Sequence, residues 1–258
     1  MSTRTQDLAG ATMSEHDGVR YLHLDSPWVQ GAMRMSQPQS LELEYIQRMM
    51  AWMLWRPEAE VAKGHAVQLG LGAGSITRFC HKVLRMKTTV VEINPTVIGA
   101  NRLWFRLPHD DARLTVVEDD AARWVADPDN IGVAQVLNVD LYDHEAAAPV
   151  LDDEEFYTDC RNVLDADGGV MTVNLFGRDT SFERSAERIA AVFGRDQVWS
   201  LRPTREGNTV IVAARDVKVP DRETLTARAA NIEERYGLLA RKWLRMVRPL
   251  PAAPSRDR

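Results

Sequence analysis

Between a strand-like run at 65–69 and a helical run, the chain carries Gly70-Leu71-Gly72-Ala73-Gly74-Ser75. Glycines let the backbone turn tightly and approach a ligand with no Cβ in the way. The helix that follows presents free N–H groups to electron-rich ligand atoms. Ser75 stands where the dinucleotide fingerprint has its third glycine, so the spacing is GxGxG. Glu92 closes the next strand-like run, about 20 residues past Gly72, where a carboxylate can accept hydrogen bonds from the ribose hydroxyls. Gly70, Gly72, Gly74 and Glu92 therefore read as a nucleoside site; the bland alternative is a glycine turn and a strand-end acid. Asp119-Asp120 follow a third strand. A carboxylate there can accept the adenine amino group or cap the next helix, and one position can do both. Asp120 is favoured over Asp119 for adenine. Asp140 and Asp143 sit at the carboxyl end of a further strand, where open α/β sheets place their ligands. The plain alternative is an acidic loop ending a strand.

The elements that must position these residues alternate. Strands are expected at 65–69, 88–93, 114–117, 135–140 and 170–175, and helices from the glycine turn to about 84, then at 95–104, 121–125, 153–164 and 181–193. That order implies a parallel sheet covered on both faces. Segments 197–201 and 209–213 are joined by a link too short for a helix, so they form an antiparallel pair. The expected fold is a Rossmann-like, doubly wound α/β domain: a mostly parallel seven-stranded sheet ending in an antiparallel hairpin, the layout of S-adenosylmethionine-dependent methyltransferases. Residues 1–18 read as a flexible lead. Residues 19–60 read as a β-hairpin plus helix appendage, with strands at 21–24 and 28–30 and a helix over 40–55 stopped by Pro57. The nucleoside-binding domain then covers 61–216, and a C-terminal helix and tail cover 217–258. The Met and Trp stripe Met49, Met50, Trp52, Met53 and Trp55 reads as core or as a homodimer interface, the latter preferred because about 60 residues bury little alone.

Composition narrows the classes. The 258 residues carry 32 basic and 37 acidic side chains, a net charge of −5, so no basic surface argues for nucleic acid. No apolar run approaches the roughly 20 residues of a membrane span, and the first residues lack a signal-peptide core, which points to the cytoplasm. Cys80 and Cys160 lie far apart, and the histidines lack ligand spacing, so neither a disulfide framework nor a metal is expected.

Further motifs carry a resemblance running from about Tyr21 to Ala214. Leu24-Asp25-Ser26-Pro27-Trp28-Val29-Gln30, Glu44-Tyr45-Ile46-Gln47, Val91-Glu92-Ile93-Asn94-Pro95, Val139-Asp140-Leu141-Tyr142-Asp143 and Glu155-Phe156-Tyr157 together resemble the spermidine/spermine synthase (polyamine aminopropyltransferase) family. The resemblance implies that Gln30 lies near the donor nucleoside, that Tyr45 falls in the substrate motif, and that Asp140 and Asp143 form the catalytic Asp-x-x-Asp pair. It also implies decarboxylated S-adenosylmethionine as co-substrate and a small amine as acceptor. The chain departs from the pattern at Ala73, where the family has an Asp that holds the donor's amino group. It departs again at Ile46 and Gln47, which replace His and Glu, and at His144, which replaces a proline.

In this reading Asp140 orients and deprotonates the attacking amine, Asp143 anchors its far charge, and Tyr142 and His144 are adjacent acid/base alternatives. Two other readings stay open. Methyl transfer from intact S-adenosylmethionine fits Ala73, since no carboxylate there repels the methionine carboxyl group. A non-catalytic nucleoside-binding or assembly module would keep the fold without the chemistry.

Overall fold

The structure, a computed structural model, describes residues 8–142, 151–176 and 180–251. Strands β1 (Ala11–His16), β2 (Val19–Leu24) and β3 (Gly31–Arg34) form a three-stranded antiparallel sheet in that order. The main sheet holds β4 (His65–Leu69), β5 (Lys87–Glu92), β6 (Leu114–Glu118), β7 (Val136–Val139), β8 (Val170–Phe176), β9 (Val198–Leu201), β10 (Asn208–Ala214) and β11 (Val247–Pro249). Its order is β11-β9-β10-β8-β7-β4-β5-β6. The five strands from β8 to β6 run parallel, and β10, β9 and β11 join antiparallel.

The helices are α1 (Glu44–Met49), α2 (Ser75–Arg78), α3 (Pro95–Trp104), α4 (Ala121–Ala126), α5 (Glu154–Val163), α6 (Thr180–Phe193), α7 (Arg222–Tyr236) and α8 (Ala240–Met246). Their starts follow capping chemistry. Asn94, Asp120, Asp153 and Asp221 each accept a hydrogen bond from a backbone N–H in the first turn, and Pro95 opens α3. Gly237, with φ 68°, ends α7 in the left-handed region. One sheet face packs against α1, α2, α7 and α8; the other packs against α4, α5 and α6. Every residue of β7 and β10 is buried, as a sheet covered on both faces requires.

Several expectations are corrected. Part of the lead expected to be flexible, Ala11–His16, is a strand paired along its length with β2. Trp28, Val29 and Gln30 lie in the link between β2 and β3, outside any strand, and the strand begins at Gly31. The helix expected over 40–55 is α1 followed by a 3-10 turn, Met50–Leu54. The main sheet has eight strands where seven were expected, because Val247–Pro249 in the expected tail pairs with β9. Pro249 is tolerated because the strand is at an edge.

The Met and Trp stripe is internal. Met49, Met50, Trp52 and Met53 are fully buried, packed with Trp243 of α8 and Ile232 of α7. Trp55 stacks obliquely on Trp199, with ring centroids 4.9 Å apart. These side chains present no surface to a second copy, so they give the expected homodimer no basis. From α8, Lys242 Nζ donates to Glu44 Oε1 at 2.7 Å.

Candidate active site

In the main sheet, β4 lies between β5 and β7, so the chain leaves it in opposite directions. Open α/β sheets bind ligands in the crevice at such a switch point. A cavity of about 1260 Å³ lies there, bordered by the glycine turn, the strand ends and the N-terminal sheet.

The glycine turn is shaped by close contacts. Gly70 and Gly72 have φ of 85° and 49°. A Cβ on Gly70 would sit 2.2 Å from the Asp140 carbonyl oxygen, and one on Gly72 would sit 2.9 Å from that of Gln30. The two glycines therefore allow the turn to touch both the end of β7 and the hairpin, and both border the cavity. Gly74 does not border it. Its φ of 66° makes the last bend before α2, and a Cβ there would meet Asn101 Oδ1 at 2.8 Å. From behind, the buried Arg78 donates to the carbonyl oxygens of Ala73 (2.5 Å), Phe105 (2.8 Å) and Pro38 (2.9 Å). Burial lowers the pKa of this guanidinium to about 9.

Glu92 ends β5 and grips the turn. Its Oε2 accepts from Leu71 N at 2.9 Å and its Oε1 from Asn94 N at 2.9 Å. Burial raises its pKa, opposed by those backbone donors. Each oxygen keeps a second lone pair for a ribose hydroxyl. Asp120 borders the same end of the cavity while its Oδ1 accepts from Ala122 N at 2.8 Å, capping α4. Asp119 borders the cavity too, but accepts from Arg123 Nε at 2.6 Å. Gln30 borders the cavity, and its backbone N–H donates to Leu22 O at 2.8 Å.

Ala73 does not border the cavity. It is buried against the hairpin, where a Cβ on Gly31 would lie 2.5 Å from Ala73 N. The glycine turn thus brings no carboxylate to a donor's side chain.

Asp140, at the end of β7 beside the glycine turn, also borders the cavity. Its Oδ1 accepts from Asn174 Nδ2 at 2.8 Å and its Oδ2 from the Tyr45 hydroxyl at 3.3 Å. Asn174 Oδ1 accepts in turn from Asn208 Nδ2 at 3.1 Å. Burial raises the pKa of Asp140, while the bonds from Asn174 and Tyr45 oppose the rise. Burial and the neighbouring Asp140 charge raise that of Tyr45 well above its ordinary value, so this phenol stays a neutral donor. The Tyr142 hydroxyl donates to Asn174 O at 2.9 Å and accepts from Phe176 N. These bonds fix the chain after β7 to β8 and engage the hydroxyl in positioning. Asp143 and His144 lie outside the described residues.

The charge of the cavity wall is one-sided. Glu42, Glu44, Glu92, Asp119, Asp120, Asp140 and Glu206 border it, and among the described residues that do so there is no Lys, Arg or His. Glu42 is paired with Arg34, Glu44 with Arg48 and Lys242, and Asp119 with Arg123, while Glu92, Asp120, Asp140 and Glu206 form no ion pair with a described residue; these four leave a wall that favours cations and disfavours a ligand carboxylate. Among the described residues no three His, Cys, Asp or Glu side chains are grouped to hold a metal ion.

Sequence reasoning did not single out Asn174, Asn208, Glu42 or Glu206. Asn174 did leave a signal, as the amide within the otherwise apolar end of the strand Val170–Phe176. A buried amide in such a strand needs hydrogen-bond partners, and the nearest strand-end acid is one.

Fold and cleft together define an α/β protein of the methyltransferase-like fold, with a nucleoside-sized cleft and an acidic acceptor wall. No family model matches the chain. Polyamine aminopropyltransferases of Neisseria meningitidis, from a serogroup A and a serogroup B strain, are each 33% identical to it over 228 residues, 88% of this chain and 84% of theirs. That of Chromobacterium violaceum is 33% identical over 230 residues. The chain belongs to the polyamine aminopropyltransferase family.

Among solved structures, a probable spermidine synthase from Corynebacterium glutamicum shares the fold at a TM-score of 0.70 and 19% identity, over 98% of this chain and 99% of that one. Human methyltransferase-like protein 13, in complex with SAH, shares it at a TM-score of 0.64 and 20% identity, over 84% of this chain and 98% of that one. No helix among the described residues is long and apolar enough to cross a membrane.

Proposed function

We propose that the protein transfers an aminopropyl group from decarboxylated S-adenosylmethionine to a small amine. The observation that carries this reading is the cavity wall: seven carboxylates, with no basic side chain among the described residues that border it. Decarboxylated S-adenosylmethionine carries a sulfonium and an ammonium with no carboxylate, and the acceptor is a cation as well. Gly70 and Gly72 would cradle the nucleoside, Glu92 would take the ribose hydroxyls, Asp120 the adenine amino group, and Gln30 would cover the donor from the hairpin.

Asp140 is the base. An ammonium has no lone pair, so the acceptor must lose a proton before it attacks. Burial raises the pKa of Asp140 and lowers that of an amine beside it, which brings the two closer. The amine nitrogen then forms a bond to the propyl carbon beside the sulfur, and the carbon–sulfur bond breaks. Its electron pair returns to sulfur, leaving neutral methylthioadenosine; the positive charge passes to the new secondary ammonium, and the proton that Asp140 took before the attack goes on to solvent. Tyr45 and Asn174 hold the carboxylate in place, and alignment of donor and acceptor supplies much of the acceleration.

Purified protein incubated with decarboxylated S-adenosylmethionine and a panel of linear amines should release methylthioadenosine with at least one of them. No release with any amine would overturn the reading. Methyl transfer is the second reading, favoured by Ala73. Its signature is S-adenosylhomocysteine formed from intact S-adenosylmethionine. A cytoplasmic location and an Asp143 anchor remain proposals of the same reading.

A further inference from the structure

Three buried side chains donate hydrogen bonds in one direction, toward Asp140. The Thr204 hydroxyl donates to Asn208 Oδ1 at 3.5 Å, Asn208 Nδ2 to Asn174 Oδ1 at 3.1 Å, and Asn174 Nδ2 to Asp140 Oδ1 at 2.8 Å. The series starts in the link between β9 and β10 and crosses β10 and β8 to the end of β7. Strand register makes it possible. Asn174 is paired with Val210, two residues from Asn208, and residues two apart on a strand share a face. Further bonds hold the far end: Thr204 N donates to Asn208 O at 2.8 Å, and Asn208 N to Thr204 Oγ1 at 3.2 Å.

A primary amide has a donating end and an accepting end, and a half-turn of the side chain exchanges them. Asp140 alone leaves Asn174 both choices. An ionised carboxylate takes an N–H, while a protonated one can donate to the amide oxygen. Asn208 removes the choice. Its Oδ1 accepts from Thr204, so it presents Nδ2 to Asn174, and Asn174 must offer its oxygen there and its N–H to Asp140. That orientation serves the ionised carboxylate. The bond from Asn174 opposes the rise that burial gives the pKa of Asp140, and bonds aligned in series strengthen one another. From α1, Asp140 meets Tyr45, which burial keeps neutral; Glu44 on the same helix borders the cavity and is paired with Arg48 and Lys242. Tyr142, after β7, is also kept neutral by burial. The glycine turn carries no titratable side chain, the exposed Glu206 borders the cavity from the β9–β10 link, and β8 and β10 bring the two amides.

From this geometry we propose that Asn208 is a positioning residue for the reaction: it locks the Asn174 amide with an N–H aimed at Asp140 and so keeps that carboxylate in its proton-accepting state. Asn208 acts through Asn174 and not on the reacting atoms. This inference rests on the aminopropyl-transfer reading, in which Asp140 is the base.

The test is the pH dependence of kcat for the whole protein, with decarboxylated S-adenosylmethionine and the amine that the native protein turns over fastest. Asn208→Leu keeps a similar shape and removes the donor; Asn208→Ser is smaller and has no group that reaches Asn174. Each should move the midpoint of the acid limb to higher pH by roughly half a unit, with donor KM unchanged. The midpoint does not depend on how much of a variant is folded, so a lowered Tm or yield leaves it readable. Asn174→Leu should move the limb at least as far, and adding Asn208→Leu to it should move the limb no further. A limb that stays in place or moves down in both Asn208 variants would overturn the assignment while leaving aminopropyl transfer standing. So would an Asn208→Leu shift that is just as large in the Asn174→Leu background. Absence of turnover by the native protein with every amine would remove both.

Discussion

Asn174 Nδ2 lies 2.8 Å from Asp140 Oδ1, on the neighbouring parallel strand, and fixes the orientation of this half-buried carboxylate on the acceptor side of the cleft. The donor amide tells Asp140 where to point, and the Tyr45 hydroxyl holds its second oxygen. A half-buried carboxylate kept ionisable by two donors suits a base that must accept a proton and release it.

Asp140→Asn is expected to reduce kcat about 10³-fold, because the replacement amide cannot accept the amine's proton. Stability should move the other way. Burial raises the folded-state pKa of Asp140 above its unfolded value, so its contribution to stability is present at low pH and lost as pH rises through the raised value. At neutral pH the ionised group is a cost that Asn removes. Thermal unfolding should give an equal or higher Tm; a clearly lower Tm with activity retained would contradict both roles.

The acid limb of the kcat profile should report the same group. Activity should fall as pH drops through a midpoint above the ordinary aspartate value of about 3.9. Tyr45→Phe removes a donor that holds this pKa down, so its limb should move to higher pH. A limb that stays in place, or moves down, would show that another group titrates.

Gly31→Ala tests how the hairpin serves the donor site. The added Cβ would fall 2.5 Å from Ala73 N, so the hairpin must back away from the glycine turn, at a cost of about 1–3 kcal/mol. Donor KM should rise roughly tenfold while acceptor KM changes little. Unchanged donor KM would mean that the hairpin does not cover the donor.

Trp243→Ala should cost about 3–5 kcal/mol in chemical denaturation, since the indole is buried among Trp52, Trp55 and Ile232. A loss below about 1 kcal/mol would return the C-terminal segment to the status of a tail.

Local signals made the central domain readable. The glycine turn, the Pro at the start of α3 and the cap acids placed the parallel strands and their helices close to where they lie. The site's nucleoside half was readable for the same reason: Gly70, Gly72 and Glu92 belong to one βαβ unit. The acceptor half was readable only at Asp140 and Tyr45, because Asn174 and Asn208 are tied to Asp140 through long-range pairing of β7, β8 and β10, which no local period encodes. β1 was hidden by its exposure. Five of its six residues are exposed, so it lacks the alternation that marks a half-buried strand. For the Met and Trp stripe a homodimer interface was preferred to the core because α7 and α8, which cover it, come some 180 residues later.

The central claim is that an acidic cleft selects the donor without a carboxylate, and titration calorimetry with the two donors tests it most directly. Decarboxylated S-adenosylmethionine should bind at least about tenfold more tightly than intact S-adenosylmethionine, a difference of roughly 1.4 kcal/mol. Equal binding of the two, or tighter binding of the intact donor, would contradict it.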